Sequence, residues 1–335
     1  MATKTLSENI NQAISDFKGV KQAIIDKGVE IPSGTPTSEY GAKISEIQSG
    51  GGDGYAIKDF SYFCYLYKRA NELEMIDTSQ GTNFSYMFYK CSSLTAIPQF
   101  DTSQGTRFDN MFYSCTGLTT IPQLDTSNGT DFDSMFYGCS KLTTIPQLDT
   151  SQGKLFDDMF YGCTGLTTIP ELDTSSGTGF YRMFYNCSKL TTVPKLDTSK
   201  GKDCRSMFYN CSKLTSIPKL EFGIDSRTYQ LFYGCKSLKT IELVSLSVMN
   251  NSQNMFYNCT SLENLIVSGT ITVTGDTLDL SSSTKLTVES LLSVLNALSD
   301  NTGGTTYTIT LGETNLAKLT DEQKAIATNK NYTLA

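Results

Sequence analysis

The chain has 335 residues, a net charge of −7 and only 18% charged side chains; that balance argues against a nucleic-acid partner, whose phosphates demand a basic surface. No apolar run approaches the roughly 20 residues a membrane span needs. There is no histidine, which removes the Ser-His and Cys-His nucleophile systems and the commonest metal ligand.

The opening MATKTLSENI lacks the charged-then-apolar layout of a secretory signal, so synthesis in a bacterial cytoplasm is expected. Ile10, Ala13, Phe17, Val20 and Ile24 alternate steps of three and four, a heptad seam that could zip a helix to copies of itself or to a second helix. Ile10, Phe17, Val20 and Ile24 are therefore candidate oligomerisation residues. IPSGTPTS breaks that helix, and SEYGAKISEI restarts one with Tyr40, Ile44 and Ile47 on one face. The glycine-rich stretch at 49–54 is a flexible linker. The wording KQAIIDKGVEIPSGTPTSEYGAKISEI resembles the N-terminal module of tail and baseplate proteins of phages infecting Gram-positive bacteria. That resemblance implies attachment to other tail or baseplate proteins through residues 1–48, commonly as a homo-oligomer, and a place in the virion.

Residues 55–76 hold Phe60, Phe63 and Tyr65 in the register of Phe84, Met87 and Tyr89, as a degenerate N-terminal cap would. From 77 to 268 one sentence recurs with a period of 24. In one copy its frame is Phe132, Met135, Phe136, Cys139, Leu142, Ile145 and Leu148, followed by Asp149, Thr150, Ser151 and Gly153. Such a unit cannot bury its apolar side alone, whereas stacked copies share one core, so the expectation is an α+β repeat solenoid of eight 24-residue units. Phe132, Met135, Phe136 and Cys139 sit at helical spacing, predicting a short helical turn. KLTTIPQL predicts a short strand that ends or bends at Pro146, which has no N–H to give a ladder. Rungs should repeat every ~4.8 Å. In DTSxG, Asp and Ser are expected to bond nearby backbone N–H groups and Gly to supply positive φ. A Ca²⁺ ladder along the Asp column is the sharper alternative, but each unit offers one carboxylate.

Cys91, Cys115, Cys139, Cys163, Cys187, Cys211, Cys235 and Cys259 follow the same period, a repeat register and not a CxxC metal pattern. They are expected to be buried thiols, with disulfides between rungs open in an oxidising setting. Cys204 takes a place filled by Phe in earlier copies and Cys64 lies outside the column. The frame M-F-x-x-C-S-x-L-T-x-I-P followed by D-T-S resembles the leucine-rich repeats of bacterial surface antigens of the BspA-like type. The resemblance implies a right-handed stack used in adhesion and names no ligand.

Beyond 268, TITVTGDTLDL alternates as a strand, Thr287 opens a helix over VESLLSVLNAL, TYTITL is another strand, and Thr320 with Gln323 makes a capping box for DEQKAIA. Residues 269–335 thus form a small αβ cap, whose wording also resembles the ends of phage-encoded repeat proteins.

No catalytic, metal or cofactor constellation stands apart from the repeat. Asp157 and Asp158 are a formal carboxylate pair for glycoside cleavage, but neighbours in sequence point apart and their slot is expected to be solvated. What remains is a displayed surface. Tyr89, Tyr113, Tyr137, Tyr161, Tyr185, Tyr209, Tyr233 and Tyr257 form a column that either packs ring on ring over the core or lies along a glycan chain as a receptor site. The pair before each Met varies from copy to copy, and the slot after proline drifts from Gln99, Gln123 and Gln147 through Glu171 to Lys195 and Lys219. A phage tail-tip or baseplate protein binding host polysaccharide or protein is the leading expectation. A bacterial surface adhesin, which would need an export signal or anchor, and a polysaccharide depolymerase are the alternatives.

Overall fold

The computed structural model describes residues 77–223, 226–248, 254–275 and 278–335. The helical module expected at 1–48, the linker at 49–54 and the cap at 55–76, with Cys64, lie outside them.

Successive copies stack in register. Isolated parallel bridges join Asn83 to Arg107, Arg107 to Asp131, Asp131 to Leu155, Leu155 to Gly179, Gly179 to Asp203 and Asp203 to Arg227, each one period on. Around them the backbone divides its donors by parity. The N–H groups of Phe132, Ser134, Phe136 and Gly138 donate to Leu155, Asp157, Met159 and Tyr161 of the next copy at 2.6–3.0 Å; those of Met135, Tyr137 and Cys139 donate within the copy to Phe132, Ser134 and Phe136 at 3.1–3.2 Å. This corrects the expected helical turn. The segment is a run of overlapping β-turns, because a helix would send every donor back to its own chain and leave none for the neighbour.

The run needs a left-handed residue at two places per copy. Tyr86, Asn110, Ser134, Asp158, Arg182, Ser206, Gln230 and Asn254 occupy the first, with φ of 52–63°. The second holds Lys90, Ser114, Gly138, Gly162, Asn186, Asn210, Gly234 and Asn258, mostly the Gly and Asn that tolerate this region. The turns nonetheless point the expected residues inward. Phe132, Met135, Phe136, Cys139 and Leu142 are fully buried, and Leu148 is nearly so. Phe84, Phe108, Phe132, Phe156 and Phe180 stack with centroids 5.7–5.8 Å apart. A second column from Phe88 to Phe256 stacks at 5.3–5.8 Å.

The DTSxG corner forms the expected Asx turns, for example Ser151 N–H donating to Asp149 Oδ1 at 3.0 Å. Its threonine is buried, and Thr102, Thr126, Thr150 and Thr174 each donate Oγ1–H to the carbonyl of the next copy's Asp at 2.7–2.9 Å. The glycine is there for a different reason than expected. Gly153 does not have positive φ; a Cβ on it would come within 2.5 Å of Phe156 Cζ and 2.9 Å of the Thr150 carbonyl, so the position excludes any side chain.

The expected strand in every copy is also corrected. Where proline is present the segment forms no strand, and up to Thr215 neighbouring copies share at most one backbone bond there, such as Thr119 N–H to the Thr95 carbonyl at 3.0 Å. Glu242 and Ile266 stand where the other copies have proline, and there β1 (Thr240–Leu243) and β3 (Asn264–Val267) form and pair in parallel. Proline had removed the donor and restricted the residue before it. β2 (Leu246–Val248) pairs in the same way with β4 (Ile271–Val273).

Past the last rung, α1 (Val288–Ala297) lies over β3. Thr287 caps it, accepting from Ser290 N–H, and two helix serines serve the sheet edge: Ser290 Oγ accepts from Leu265 N–H and Ser293 Oγ from Val267 N–H. Outward donors that would invite another strand are thereby satisfied. A parallel sheet of β5 (Leu278–Asp279), β6 (Tyr307–Thr310) and β7 (Tyr332–Leu334) follows, with α2 (Glu313–Leu316) and α3 (Asp321–Thr328). The Thr320–Gln323 capping box of α3 is present. Lys330 Nζ closes the end of α1 by donating to the Asn296 and Leu298 carbonyls at 2.7 and 2.8 Å.

Candidate functional site

The tyrosine column lies beside the second left-handed position of each turn run. Its rings face one another: Tyr113–Tyr137, Tyr137–Tyr161, Tyr161–Tyr185, Tyr185–Tyr209 and Tyr209–Tyr233 have centroids 4.3–4.6 Å apart and planes within 10°. Tyr89–Tyr113 and Tyr233–Tyr257 are looser, at 4.9 Å. A sugar cannot stack on a ring whose two faces are already covered. What the column offers is ring edges and a row of hydroxyls, and burial pushes the Tyr185 hydroxyl up to about 12, with Tyr209 and Tyr161 adding to the rise. At neutral pH the Tyr185 hydroxyl stays neutral and can both donate and accept. The ring-packing reading accounts for the geometry; the glycan reading is left the edges.

Next to it the variable pair before Met builds a charged band. Asp109 accepts from Ser85 Oγ at 2.5 Å and pairs with Arg107 Nη2 at 2.9 Å. Further along, Asp157 Oδ1 accepts from Tyr181 N–H at 2.6 Å, and its carboxylate sits where a Cβ on Gly179 would be, 2.8–3.0 Å away. Asp158 pairs with Arg182 Nη2 at 2.9 Å. Asp203 takes Arg205 through Nε at 2.8 Å and Nη2 at 2.6 Å, and Arg227 Nη2 at 2.9 Å. The Arg182 and Arg205 guanidiniums lie 4.3 and 4.8 Å from the Tyr181 ring, a cation–π arrangement.

The slot of Asp157 and Asp158 is half-buried, less solvated than expected. Burial raises Asp133, Asp157 and Asp158 to about 6, with further upward pushes from neighbouring carboxylates and, for Asp158, a counter-pull from Arg182. Each of the pair is occupied with the stack itself, one on a backbone N–H and one on an arginine, which leaves the catalytic reading without geometric support. Among the described residues no group of three or more His, Cys, Asp and Glu is placed to hold a metal ion. The Asp corner column is engaged in Asx turns, whose Ser donors lower Asp101, Asp173 and Asp197 below the ordinary carboxylate value.

Apart from the half-buried Cys91, the repeat thiols are buried and donate along the stack. Cys139, Cys163, Cys187 and Cys211 Sγ lie 3.0–3.1 Å from the Phe carbonyls of the preceding copies. Burial pushes Cys163, Cys204, Cys211 and Cys259 up to about 12, so they are inert thiols. No disulfide occurs among the described residues. The candidate oligomerisation residues Ile10, Phe17, Val20 and Ile24 lie outside the described residues. Sequence reading missed the Arg–Tyr–Asp band, although the copy-to-copy variation of its slot was the signal that marked it.

Comparison with known families agrees with this architecture in two overlapping regions. Residues 58–168 and 119–220 match a family described as Mycoplasma protein of unknown function, DUF285. Residues 181–299 match one described as BspA type leucine rich repeat region (6 copies). No curated protein matches the chain. Together the two matches support a BspA-like repeat protein.

Proposed function

We propose that this chain is a non-enzymatic adhesion protein that lays the long side of its repeat stack against a cell-surface polysaccharide or protein. One observation carries the reading. From copy to copy the core columns keep nearly the same residues, whereas the exposed slot after proline changes from Gln through Glu to Lys and the half-buried to buried slot beside the tyrosines changes from Asp to Tyr and Arg. A scaffold that varies only its outer wall is a display surface. The similarity to BspA type repeats points the same way. No group of three or more His, Cys, Asp and Glu among the described residues is placed to hold a metal ion.

The finer form of the proposal places the protein on a phage tail tip or baseplate, held there as a homo-oligomer by residues 1–48. It rests on the wording of residues 21–47 and on the heptad seam of Ile10, Phe17, Val20 and Ile24, and it carries the protein to the virion after synthesis in the host cytoplasm. A bacterial surface adhesin is the second reading, favoured by the BspA type match.

The test is direct. Labelled full-length protein is titrated onto intact Gram-positive cells, and its saturating concentration is used to compete with phage adsorption. Saturable binding that blocks adsorption supports a receptor role; saturable binding without competition leaves the adhesin reading. No binding to any cell type rejects adhesion altogether.

A further inference from the structure

The described stack is electrically lopsided. Residues 77–181 carry eleven acidic and four basic side chains, and residues 182–239 carry eleven basic and four acidic ones. Most of the acidic excess is absorbed by the stack in Asx turns and arginine pairs. Of the basic side chains, Arg182, Arg205 and Arg227 are paired with Asp158 and Asp203, and the lysines are not. Lys189, Lys195, Lys213, Lys219, Lys236 and Lys239 are all exposed.

The slot after proline shows the contrast within one column. In the early rungs it holds Gln99, Gln123 and Gln147, each donating Nε2–H to the backbone carbonyl of the same slot one copy on, at 2.5–2.7 Å. That ladder serves the fold. Two copies later the slot holds Lys195 and Lys219, whose ammonium groups take part in none of the ion pairs among the described residues. Six residues earlier in the same rungs, Lys189 and Lys213 form a second column. At about 3.3 Å per extended residue the two columns stand no more than about 20 Å apart. Thr191, Thr192, Thr215 and Ser216, all exposed, form the floor between them. Like charges one rung apart repel, and Asp197, two residues after Lys195, offsets only part of that repulsion.

We propose that this lysine-flanked face binds a linear anionic polymer of sugar or polyol units, running along the stack with its carboxylates or phosphates against the two lysine columns. The inference rests on the adhesion reading and names the chemistry of its ligand. Lysine supplies point charges for repeating anions, and the hydroxyl floor suits a polymer rich in hydroxyls. A single-stranded nucleic acid fits poorly, since its binders interleave aromatic platforms with basic residues. The floor has none, and the nearby tyrosines present no free faces within the column.

The experiment measures binding of the full chain to polygalacturonate, poly(glycerol phosphate), neutral dextran and a single-stranded DNA oligonucleotide. Binding is expected to one or both charged glycan-type polymers, the choice telling carboxylate from phosphodiester. Affinity should fall about tenfold or more between 50 and 200 mM salt. The variant K189Q/K195Q/K213Q/K219Q should weaken that binding by about tenfold or more, and K154Q/K285Q, exposed lysines elsewhere, by less than about twofold. The variant is expected to stay folded, because glutamine already occupies the post-proline slot in three copies; an unchanged thermal transition checks it. Equal binding by both variants, no binding to either charged polymer, or equally tight binding to DNA overturns the inference. Intact cells separate it from the adhesion reading. Cell binding that survives the four substitutions defeats the lysine face alone, whereas polymer binding without cell binding defeats adhesion alone.

Discussion

The rungs that contain proline and the two that lack it have the same inward columns and different outer walls. From Thr102 to Thr198 the corner threonine of each copy reaches the next copy's backbone through its hydroxyl, while the proline side contributes at most one backbone bond per rung. After Thr198 that hydroxyl ladder stops, since Phe222 occupies the slot. The proline-free side then takes over, with Ser216 bridged to Thr240 and β1 paired to β3 along Thr240–Leu243. Cohesion outside the turn run moves from one side of the stack to the other. A buried polar group must find a partner, but which edge supplies it is open.

The largest way to break that comparison is to attack what both regions share. Phe160 is fully buried between Phe136 and Phe184 at 5.6 and 5.4 Å, and Phe160→Ala should cost about 3–5 kcal/mol. Chemical denaturation reads the loss. An equal drop in amide-exchange protection on both sides of the cavity would show a cooperative stack, and a drop confined to neighbouring rungs a stack that opens piecemeal.

Putting proline back into β3 tests the outer wall alone. Ile266→Pro removes a donor from a strand paired to β1 and should destabilise by on the order of 1–3 kcal/mol, with exchange protection lost at Thr240–Leu243 and kept at Phe132–Cys139. If stability and protection are unchanged, strand pairing does not hold the late rungs together.

pH separates the regions next. Asp133, Asp157 and Asp158 all lie in the proline rungs, and burial lifts them from 3.8 to about 6. A raised folded value means their contribution is fully present below the unfolded value of 3.8 and is lost as pH rises through about 6. The protein should therefore be more stable at pH 5 than at pH 7, by roughly 1 kcal/mol per carboxylate. Below about pH 4 the lowered Asx carboxylates Asp101, Asp173 and Asp197 reverse the trend. Thermal transitions across pH 3–8 should pass through a maximum near 4–5, and a triple Asn variant should flatten the upper limb.

The smallest expected effect concerns backbone strain. Gln230 has φ of 54°, and Gln230→Gly should stabilise by under about 1 kcal/mol, relief of left-handed strain being partly offset by chain entropy. A loss of stability would mean that the Gln side chain contributes contacts worth more than the strain.

Much of this molecule was legible before its structure. Seven apolar positions per copy gave the inward columns, the Thr287 cap and the Thr320–Gln323 box were read correctly, and the Asx corners formed as expected. The tyrosine column was found, but whether its rings covered one another or waited for a ligand could not be read from spacing. The turn run was mistaken for a helix because three- and four-residue spacing is shared by both. The Gly or Asn before six of the eight column cysteines, as at Gly138 and Asn186, was the overlooked sign of left-handed backbone. The lysine drift was visible; the glutamine ladder that makes it meaningful was not, since a side chain bonding a carbonyl 24 residues away leaves no local trace.

Sequence alone determined the period, the residues that face inward and the places where each copy turns a corner, because burial pattern and turn chemistry act over a few residues. Tertiary structure decided where every second N–H points, which wall carries the ladder and which polar side chains are spent on the stack. Those choices depend on the backbone of the neighbouring copy, and only its position in space supplies that partner.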